Sequence, residues 1–318
     1  MSLGRMALRD ALVTAGFRGG WAAVRNLEEG PALRLVDRAA EVVHRRGGAG
    51  VDRMRSNYAT VRPDLSDAAV EDLVAEGVRG YLRYWWSVFR LPALAPSTLA
   101  ASVRLVGDGP ARAHLAAGRS VVLFLGHMGD WDLAGAWSQR HFAPVVTVAE
   151  RLRPEEVFDE FVRFRTGLGM TILPLTGGPP VVPALQGHIT DLRGGPFLVP
   201  LLSDRDLRRT GVEVDLCGSP ARVATGPTVL AASTGAALFP LSIRQASRAD
   251  GGYGIECIFH DEVVVPRAEG AGRPDPDVIR AATQACIAAL GTTIAAEPHQ
   301  WHMMQPVFTV DLDPARSR

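Results

Sequence analysis

Short, continuous apolar runs that alternate with helical stretches limit most strongly what this chain can fold into. From about residue 103 the apolar runs are Val121–Leu125, 145–148, 172–173, 197–202, Val212–Leu216, 238–243 and 255–259. Helical patterns near residues 130–139, 154–167, 180–191 and 226–235 lie between several of them. Strands that are apolar on both faces are typical of parallel sheets covered by helices. The pattern therefore predicts an α/β fold with a central, mostly parallel sheet flanked by helices on both faces.

The first 92 residues show a helical pattern instead. Apolar residues from Val70 to Phe89 recur every 3.6 residues, Ser66 is a suitable N-cap, and Leu91-Pro92 ends the helix. A last helix is expected to start at Asp275-Pro276 and to end before residue 298. No internal repeat or linker is evident. We expect a helical segment, residues 1–92, added to one α/β unit, residues 93–318.

The N-terminal helices carry a local excess of positive charge. Residues 1–60 hold ten arginines against six acidic residues, and Leu8, Phe17 and Trp21 lie among the arginines. Basic amphipathic helices bind anionic membranes; the alternative is a helical cap over the core with solvated arginines, and the two are compatible. The uncharged run 224–243 is interrupted by proline and glycine, and no signal-peptide pattern is present. We expect a chain that lies on a membrane or in solution without crossing a bilayer.

Composition excludes several classes of function. Lys plus Arg and Asp plus Glu are both 34, whereas nucleic-acid binders usually show a basic excess. The 318 residues include no lysine, so a Walker lysine, a lysine Schiff base and a pyridoxal phosphate anchor are excluded. The three cysteines form no C-x-x-C pair, which fits reduced thiols. There is no G-x-S-x-G elbow, and residues 299–302 lack an acidic third ligand, so neither a serine hydrolase nor a metal site is predicted.

His127 is the first candidate for chemistry. It follows the buried run Val121–Leu125 and Gly126, which lets the chain turn, and Gly129 or Asp130 opens the next helix. Open α/β sheets bind their ligands at the carboxyl ends of the strands. Asp132 lies in the first turn of that helix, within expected reach of the imidazole. A carboxylate on one ring nitrogen fixes the tautomer while the other nitrogen takes a proton.

A second group of charged residues is predicted at the same edge of the sheet. Asp204 follows the run 197–202 and belongs to a dense cluster with Arg205, Asp206, Arg208 and Arg209. The alternative is a solvated loop whose ion pairs contribute little.

Two further arginines are candidates for substrate contact. Arg151 follows the run 145–148, and Arg165 falls on the apolar stripe of the next helix. An arginine on a stripe that faces the core needs a partner or a cleft, so we expect it to contact phosphate or to orient acidic site residues. The alternative for Arg165 is a side chain that reaches out to water.

The spacing His127-x-x-x-x-Asp132 resembles the H-x4-D motif of glycerolipid and lipid A acyltransferases. A wider set of segments between about residues 75 and 310 resembles the actinobacterial phosphatidylinositol mannoside acyltransferases, which are similar to the lipid A late acyltransferases. These segments are Tyr84-Trp85, 88–92, 131–135, 147–152, 205–207, 210–215, Gly226-Pro227, 234–238 and 301–306.

The resemblance implies a fold, an activity and site residues. It implies transfer of an acyl group from acyl-CoA, a substrate rather than a cofactor, to the 6-hydroxyl of a mannose on a phosphoinositide glycolipid. It implies a peripheral protein on the anionic cytoplasmic face of the plasma membrane. His127 and Asp132 match the catalytic motif, and Arg151 and Arg165 match arginines of the family. Asp204 falls where relatives carry Glu as the partner of the histidine, and Asp130 stands where Asn is expected.

The expected mechanism is direct transfer with His127 as general base and Asp132, Asp204 or both holding the imidazole. Backbone amides of residues 126–129 are expected to bind the oxyanion. Helices around Trp85, Trp86 and Phe89 are expected to wall the acyl groove, and Arg208 or Arg209 to meet the CoA phosphates. Three alternatives stay open: a related acyltransferase that uses acyl carrier protein or another lipid, a non-catalytic lipid-binding protein, and a hydrolase.

Overall fold

The computed structural model describes residues 27–149, 155–175, 180–191, 195–206, 211–268 and 274–312, and only the backbone of residues 155–158. The helices are α1 (Glu29–Arg46), α2 (Ala49–Val61), α3 (Asp67–Arg90), α4 (Pro96–Ala101), α5 (Gly109–Ala116), α6 (Trp131–His141), α7 (Glu155–Gly167), α8 (Val181–Thr190), α9 (Gly226–Thr234) and α10 (Pro276–Ala296). The strands are β1 (Val103–Val106), β2 (Val121–Leu125), β3 (Val146–Ala149), β4 (Thr171–Pro174), β5 (Leu198–Leu202), β6 (Val212–Leu216), β7 (Ser219–Val223), β8 (Ala237–Ser247) and β9 (Tyr253–Phe259).

The central sheet has the order β1-β9-β8-β2-β5. Only the β8–β9 pair is antiparallel, and β2 lies between two parallel neighbours, β5 and β8. A parallel bridge between Val145 and Leu198 continues the sheet toward the β3–β4 pair. Strands β6 and β7 form a separate antiparallel hairpin. The prediction of an α/β fold with a mostly parallel central sheet flanked by helices is confirmed.

Strand β2 shows why this sheet is covered on both sides. Its five residues are all buried. Val122 and Phe124 belong to one apolar cluster, and Val121, Leu123 and Leu125 belong to a second cluster on the opposite face. Successive side chains of a strand point to opposite faces, so an unbroken apolar run requires two layers of helices. Each such fully buried side chain contributes about 1.5–3 kcal/mol.

The predicted helix boundaries are confirmed where the sequence contains strong caps. The Ser66 Oγ accepts a hydrogen bond from the Ala69 N–H, and α3 ends at Arg90 before a short 3₁₀ turn. The Asp275 carboxylate caps α10 through the Asp277 N–H at 2.8 Å. The sequence analysis did not predict β1, α5 or β7, because these short elements lack long apolar runs.

Helix α10 is the one described helix long and apolar enough to cross a bilayer. Core helices of soluble proteins share this length and composition, and 44% of its most apolar window is buried in the protein. Its buried residues, among them Cys286, Ile287 and Leu290, pack in the same core cluster as Val122 and Phe124. The helix therefore forms part of the core in this fold.

The N-terminal hypothesis is only partly accessible to the structure. Leu8, Phe17 and Trp21, with the arginines among them, lie outside the described residues. Within the described part, α2 and α3 supply Tyr58 and Tyr84, both buried in the core. The helical N-terminal segment thus packs directly against the α/β unit.

Candidate active site

The candidate site begins where two neighbouring parallel strands end. In the register of β2 and β5, Leu125 lies opposite Leu202. His127 and Asp204 each follow two residues later, so the pairing brings them together across 77 residues of sequence. The His127 Nδ1 lies 2.6 Å from the Asp204 Oδ1, and the His127 backbone N–H donates to Oδ2 at 2.9 Å. The prediction that both residues lie at one edge of the sheet is confirmed.

The protonation of this pair follows from its surroundings. Asp204 is fully buried, and burial alone would raise its pKa; the facing His127 and the hydrogen bonds that the carboxylate accepts outweigh burial and hold the pKa below its usual range. An ionised carboxylate only accepts hydrogen bonds, so Nδ1 of His127 carries the proton. The Nε2 lone pair is then available, and the imidazole side chain is 17% exposed.

A segment near the end of the described chain closes the site from the other side. The Trp301 Nε1–H donates to the Asp204 Oδ2 at 2.7 Å, and the His302 N–H donates to the His127 carbonyl at 2.8 Å. Met128 and Trp301 form an antiparallel bridge, and the His302 Nε2–H donates to the Gly129 carbonyl at 2.9 Å. Burial lowers the pKa of His302 to about 4, so this imidazole stays neutral. Sequence reasoning assigned no role to Trp301 or His302, although both lie in the 301–306 segment of the resemblance.

In the turn after β2, where the sequence pointed to Gly126, the residue whose backbone conformation requires glycine is Gly129. Gly129 has φ +57°, and a Cβ there would lie 2.6 Å from the Ile243 carbonyl oxygen. Asp130 then caps α6, since its carboxylate accepts from the Leu133 N–H at 2.9 Å. Burial raises the pKa of Asp130 to about 7 against the hydrogen bonds that it accepts. The start of α6 is therefore fixed by a glycine and by a buried acidic cap.

Asp132 does not serve as the partner of the imidazole. Its two carboxylate oxygens are held by Arg165, at 2.6 and 2.9 Å, and by the Tyr84 hydroxyl at 2.9 Å. Only 2% of the Asp132 side chain is exposed, and Asp204 occupies Nδ1 of His127. The expectation that Asp132 reaches back to the imidazole is therefore corrected. The reason is that α6 carries Asp132 toward α3 and α7, whereas β5 ends beside His127.

Arg165 has the partner that its position on an apolar stripe required. Its guanidinium bonds Asp132 and lies 5.6 Å from the centre of the Phe161 ring. Burial alone would lower its pKa, but the Asp132 carboxylate raises it above its ordinary value. The side chain is 18% exposed and orients an acidic site residue, one of the two predicted roles, rather than extending into solvent.

The backbone amides expected to bind an oxyanion are already used. The N–H groups of His127, Met128 and Gly129 donate to the Asp204 carboxylate, the Gly126 carbonyl and the Gln300 carbonyl. These three donors hold the loop in place, so in this conformation none of the three is left for a substrate oxyanion.

Three of the predicted substrate-binding residues, Arg151, Arg208 and Arg209, lie outside the described residues. Their neighbours Arg205 and Asp206 are described. The Arg205 guanidinium bonds the Gln305 side chain, and the Asp206 carboxylate accepts from the Gly211 N–H at 2.7 Å. The fully buried Asp204 is thus followed directly by two half-exposed residues.

A small apolar cavity of about 30 Å³ lies between α6 and the central sheet. Trp131, Ala134 and Ser138 of α6 line one side, and Leu123 and Leu125 of β2 line another. The Trp131 ring stands edge-on to the His127 ring with centres 5.7 Å apart, so this residue belongs to both the cavity and the histidine environment.

The predicted wall of Trp85, Trp86 and Phe89 does not line this cavity. Trp85 packs edge-on against Phe161, and Trp86 packs edge-on against Tyr253. These aromatic side chains instead join α3 to the helices and strands beside it.

Comparison with known proteins shows which family the sequence belongs to. Residues 5–309 match the family model described as bacterial lipid A biosynthesis acyltransferase. A phosphatidylinositol mannoside acyltransferase of Mycolicibacterium smegmatis is 35% identical over 314 residues, which cover 98% of this chain and 97% of the relative. A protein of the same name from Mycobacterium tuberculosis is 37% identical over 303 residues, 94% of this chain and 90% of the relative. The resemblance found in the sequence is confirmed, and the chain belongs to the family of lipid A biosynthesis acyltransferases.

Proposed function

We propose that this chain transfers a fatty acyl group from acyl-CoA to the 6-hydroxyl of a mannose on phosphatidylinositol mannoside, at a membrane surface. The names of two mycobacterial relatives that align over nearly the whole chain support the acceptor. The observation that carries the proposal is the His127–Asp204 pair, with a 2.6 Å contact at Nδ1 and the Nε2 lone pair left for a substrate.

The proposed reaction is direct transfer. The His127 Nε2 takes the proton from the acceptor hydroxyl while the hydroxyl oxygen attacks the thioester carbonyl carbon. The carbon–sulfur bond then breaks, and the imidazolium returns the proton to the leaving thiolate, which gives free CoA and neutral His127. Asp204 stabilises the imidazolium that forms between the two steps. General-base help of this kind contributes about 10²–10⁴-fold, and positioning of the two substrates supplies more.

Asp132 is a positioning residue in this proposal and does not contact the substrates. It belongs to the first turn of α6, next to Trp131, whose ring contacts His127. The Arg165 and Tyr84 bonds fix Asp132 and thereby the end of α6 that carries Trp131. The H-x4-D spacing thus joins a reacting residue to a residue that holds the helix beside it.

The apolar cavity beside Trp131 is the proposed site of the acyl chain. The cavity holds about 30 Å³, far below the range of about 300–1,000 Å³ that ligand sites usually have, so an acyl chain enters it only when α6 and the sheet move apart. Because Trp131 also touches His127, a chain that fills the cavity would place its thioester near the imidazole. Arg208 and Arg209 stay the proposed contacts of the CoA phosphates, and Arg151 a proposed substrate contact.

Helix α1 is the proposed membrane-facing surface of the described residues. Its outward positions Arg34, Leu35, Arg38, Val42 and Arg45 are exposed and fall within about 100° of arc at 3.6 residues per turn. Leu35 is 60% exposed and Val42 38%. Exposed apolar side chains among arginines are typical of helices that lie on anionic lipid. This surface supports peripheral binding to the cytoplasmic face of the plasma membrane.

The test of the proposed reaction compares donors with one acceptor. Purified protein is incubated with phosphatidylinositol mannoside and either palmitoyl-CoA or palmitoyl acyl carrier protein, and the mass of the lipid is measured by mass spectrometry. We expect a mass gain of one palmitoyl group with palmitoyl-CoA. If product formed with palmitoyl acyl carrier protein and not with palmitoyl-CoA, acyl carrier protein would replace CoA as the proposed carrier of the acyl group.

Variants of histidine separate catalysis from folding. His127→Ala should lower transfer at least about 10³-fold, because the general base and its imidazolium are both lost. His141→Ala, an exposed histidine at the end of α6, is the matched control and should transfer at the wild-type rate. Full transfer by His127→Ala would reject the role of His127. Lipid binding without any turnover would favour the lipid-binding alternative, and release of free fatty acid with acceptor present would favour a hydrolase.

A further inference from the structure

The indole of Trp301 makes a contact that packing alone does not require. Its ring is fully buried and packs edge-on against Phe308. A phenylalanine would fill most of this apolar space, yet the Nε1–H is aimed at the Asp204 carboxylate at 2.7 Å. A buried indole N–H normally finds a hydrogen-bond partner, and here the partner is the carboxylate that faces His127.

Three contacts hold the Asp204 carboxylate in one orientation. Oδ1 faces the His127 ring nitrogen at 2.6 Å, while Oδ2 accepts from the His127 backbone N–H at 2.9 Å and from Trp301. The terminal torsion of an aspartate is broad and roughly two-fold, so loss of the indole donor leaves both contacts of the carboxylate to His127 alone and widens the range of orientations that it can take. Asp204 is fully buried in the described structure, so its carboxylate is not in contact with bulk solvent.

The donor itself is held in place before any substrate binds. The Trp301 carbonyl accepts a hydrogen bond from the Tyr58 hydroxyl at 2.8 Å, and its backbone bridges to Met128. The next residue, His302, donates to the His127 carbonyl. One short segment therefore fixes both the loop that carries His127 and the carboxylate that faces it.

We propose that Trp301 is a positioning residue of this site, whose indole N–H holds Oδ2 of Asp204 so that Oδ1 stays on Nδ1 of His127. The inference rests on the proposed acyl transfer and extends it to a residue that touches neither substrate. It assigns Trp301 to the orientation of the general base rather than to the binding of donor or acceptor.

The test removes the N–H and keeps the shape. Trp301 is changed to Phe and, separately, to 3-benzothienylalanine, a tryptophan isostere with sulfur in place of the N–H, introduced by stop-codon suppression. We expect kcat to fall about tenfold to hundredfold in both variants, since hydrogen bonds to charged groups are of this size. KM for acyl-CoA should change by less than about twofold, because an interaction that stabilises only the transition state lowers kcat and kcat/KM equally when it is lost.

Trp137→Phe is the matched control. Its indole is also nearly buried and donates to the Ala100 carbonyl at 3.2 Å, away from Asp204. It should leave kcat unchanged. If Trp301→Phe fails to fold, the isosteric variant decides the question, because it preserves the packing.

A second measurement does not depend on turnover. The proton in the short Nδ1–Oδ1 bond is expected to give a low-field proton resonance, identified by its loss in His127→Ala. In the Trp301 variants this resonance should move upfield or broaden, whereas Trp137→Phe should leave it unchanged. An isosteric variant with wild-type kcat and an unmoved resonance would overturn the inference. If the wild-type protein transfers no acyl group, the proposed function fails, and the resonance still decides the role of Trp301.

Discussion

The buried ion pair of Asp132 and Arg165 gives a prediction whose size follows from the geometry. Among the described residues, Arg165→Leu leaves the Asp132 carboxylate, whose side chain is 2% exposed, with the Tyr84 hydroxyl as its remaining hydrogen-bond partner. Breaking a buried pair by removing one partner costs about 3–5 kcal/mol, because a charge is left without compensation. Leucine fills much of the arginine's volume, so loss of packing contributes little. We expect the free energy of unfolding to fall by about this amount.

Thermal and urea unfolding measure the effect. For a chain of this size about 3–5 kcal/mol corresponds to a fall in Tm of about 4–8 °C. Arg163→Leu on the same helix is the matched control: its side chain is 66% exposed, and its ion pair with Glu160 spans 3.2 Å on the surface. Exposed pairs contribute about 0–1 kcal/mol, so this variant should unfold within about 2 °C of the wild type.

A second substitution tests the cause. Asp132→Asn in the Arg165→Leu background removes the uncompensated charge and keeps an acceptor for the Tyr84 hydroxyl, so most of the lost stability should return. The reasoning is refuted if Arg165→Leu unfolds like Arg163→Leu, or if the double variant is no more stable than Arg165→Leu. Either result would mean that the Asp132 charge is compensated by another group.

Three further predictions concern α6, the cavity and the membrane surface. Burial raises the pKa of Asp130 from 3.8 to about 7, so the folded protein keeps a proton that the unfolded chain releases between these values, and stability falls as pH rises through that range. Asp130→Asn should therefore stabilise the protein at pH 8 but not at pH 4.5 in urea titrations, and an equal gain at both pH values would contradict this reasoning. Ser138→Phe places a ring in the apolar cavity and should lower transfer from palmitoyl-CoA far more than from octanoyl-CoA in the mass assay, whereas an equal loss with both would place the acyl chain elsewhere. In a sedimentation assay, the triple change of Arg34, Arg38 and Arg45 to Glu should weaken binding to anionic vesicles more than about 100-fold, at about 1 kcal/mol per arginine. Arg280→Glu, at an exposed position of α10, is the control, and unchanged binding by the triple variant would exclude α1 as the docking surface.

The sequence was sufficient to locate the pair of strands that builds the site. The run Val121–Leu125 has no polar residue, which allows few alternatives to a buried central strand. Asp204 follows a similar run, and parallel neighbours end at the same edge, so its proximity to His127 was predictable. Short elements such as Val103–Val106 were not, because four residues with alternating exposure give little periodic signal.

The partners of the acidic residues were beyond the reach of sequence spacing. The interval of five residues between His127 and Asp132 fits a direct contact, yet the start of α6 turns Asp132 toward Tyr84 and Arg165. That direction depends on how α3 and α7 pack, which local pattern does not encode. The contact of Trp301 with Asp204 joins positions 97 residues apart and required the fold to be known.

The same distance along the chain has a consequence for biosynthesis. His127 and Asp204 leave the ribosome before Trp301 exists, and the 97 residues between Asp204 and Trp301 take about 5–20 s to be made at usual elongation rates. During that interval the nascent polypeptide contains His127 and Asp204 but lacks the Trp301 indole that holds the Asp204 carboxylate. Competence to react would then arise as a late step of synthesis, when the final segment docks beside the finished sheet, and a partly translated chain would leave the cell's fatty thioesters untouched.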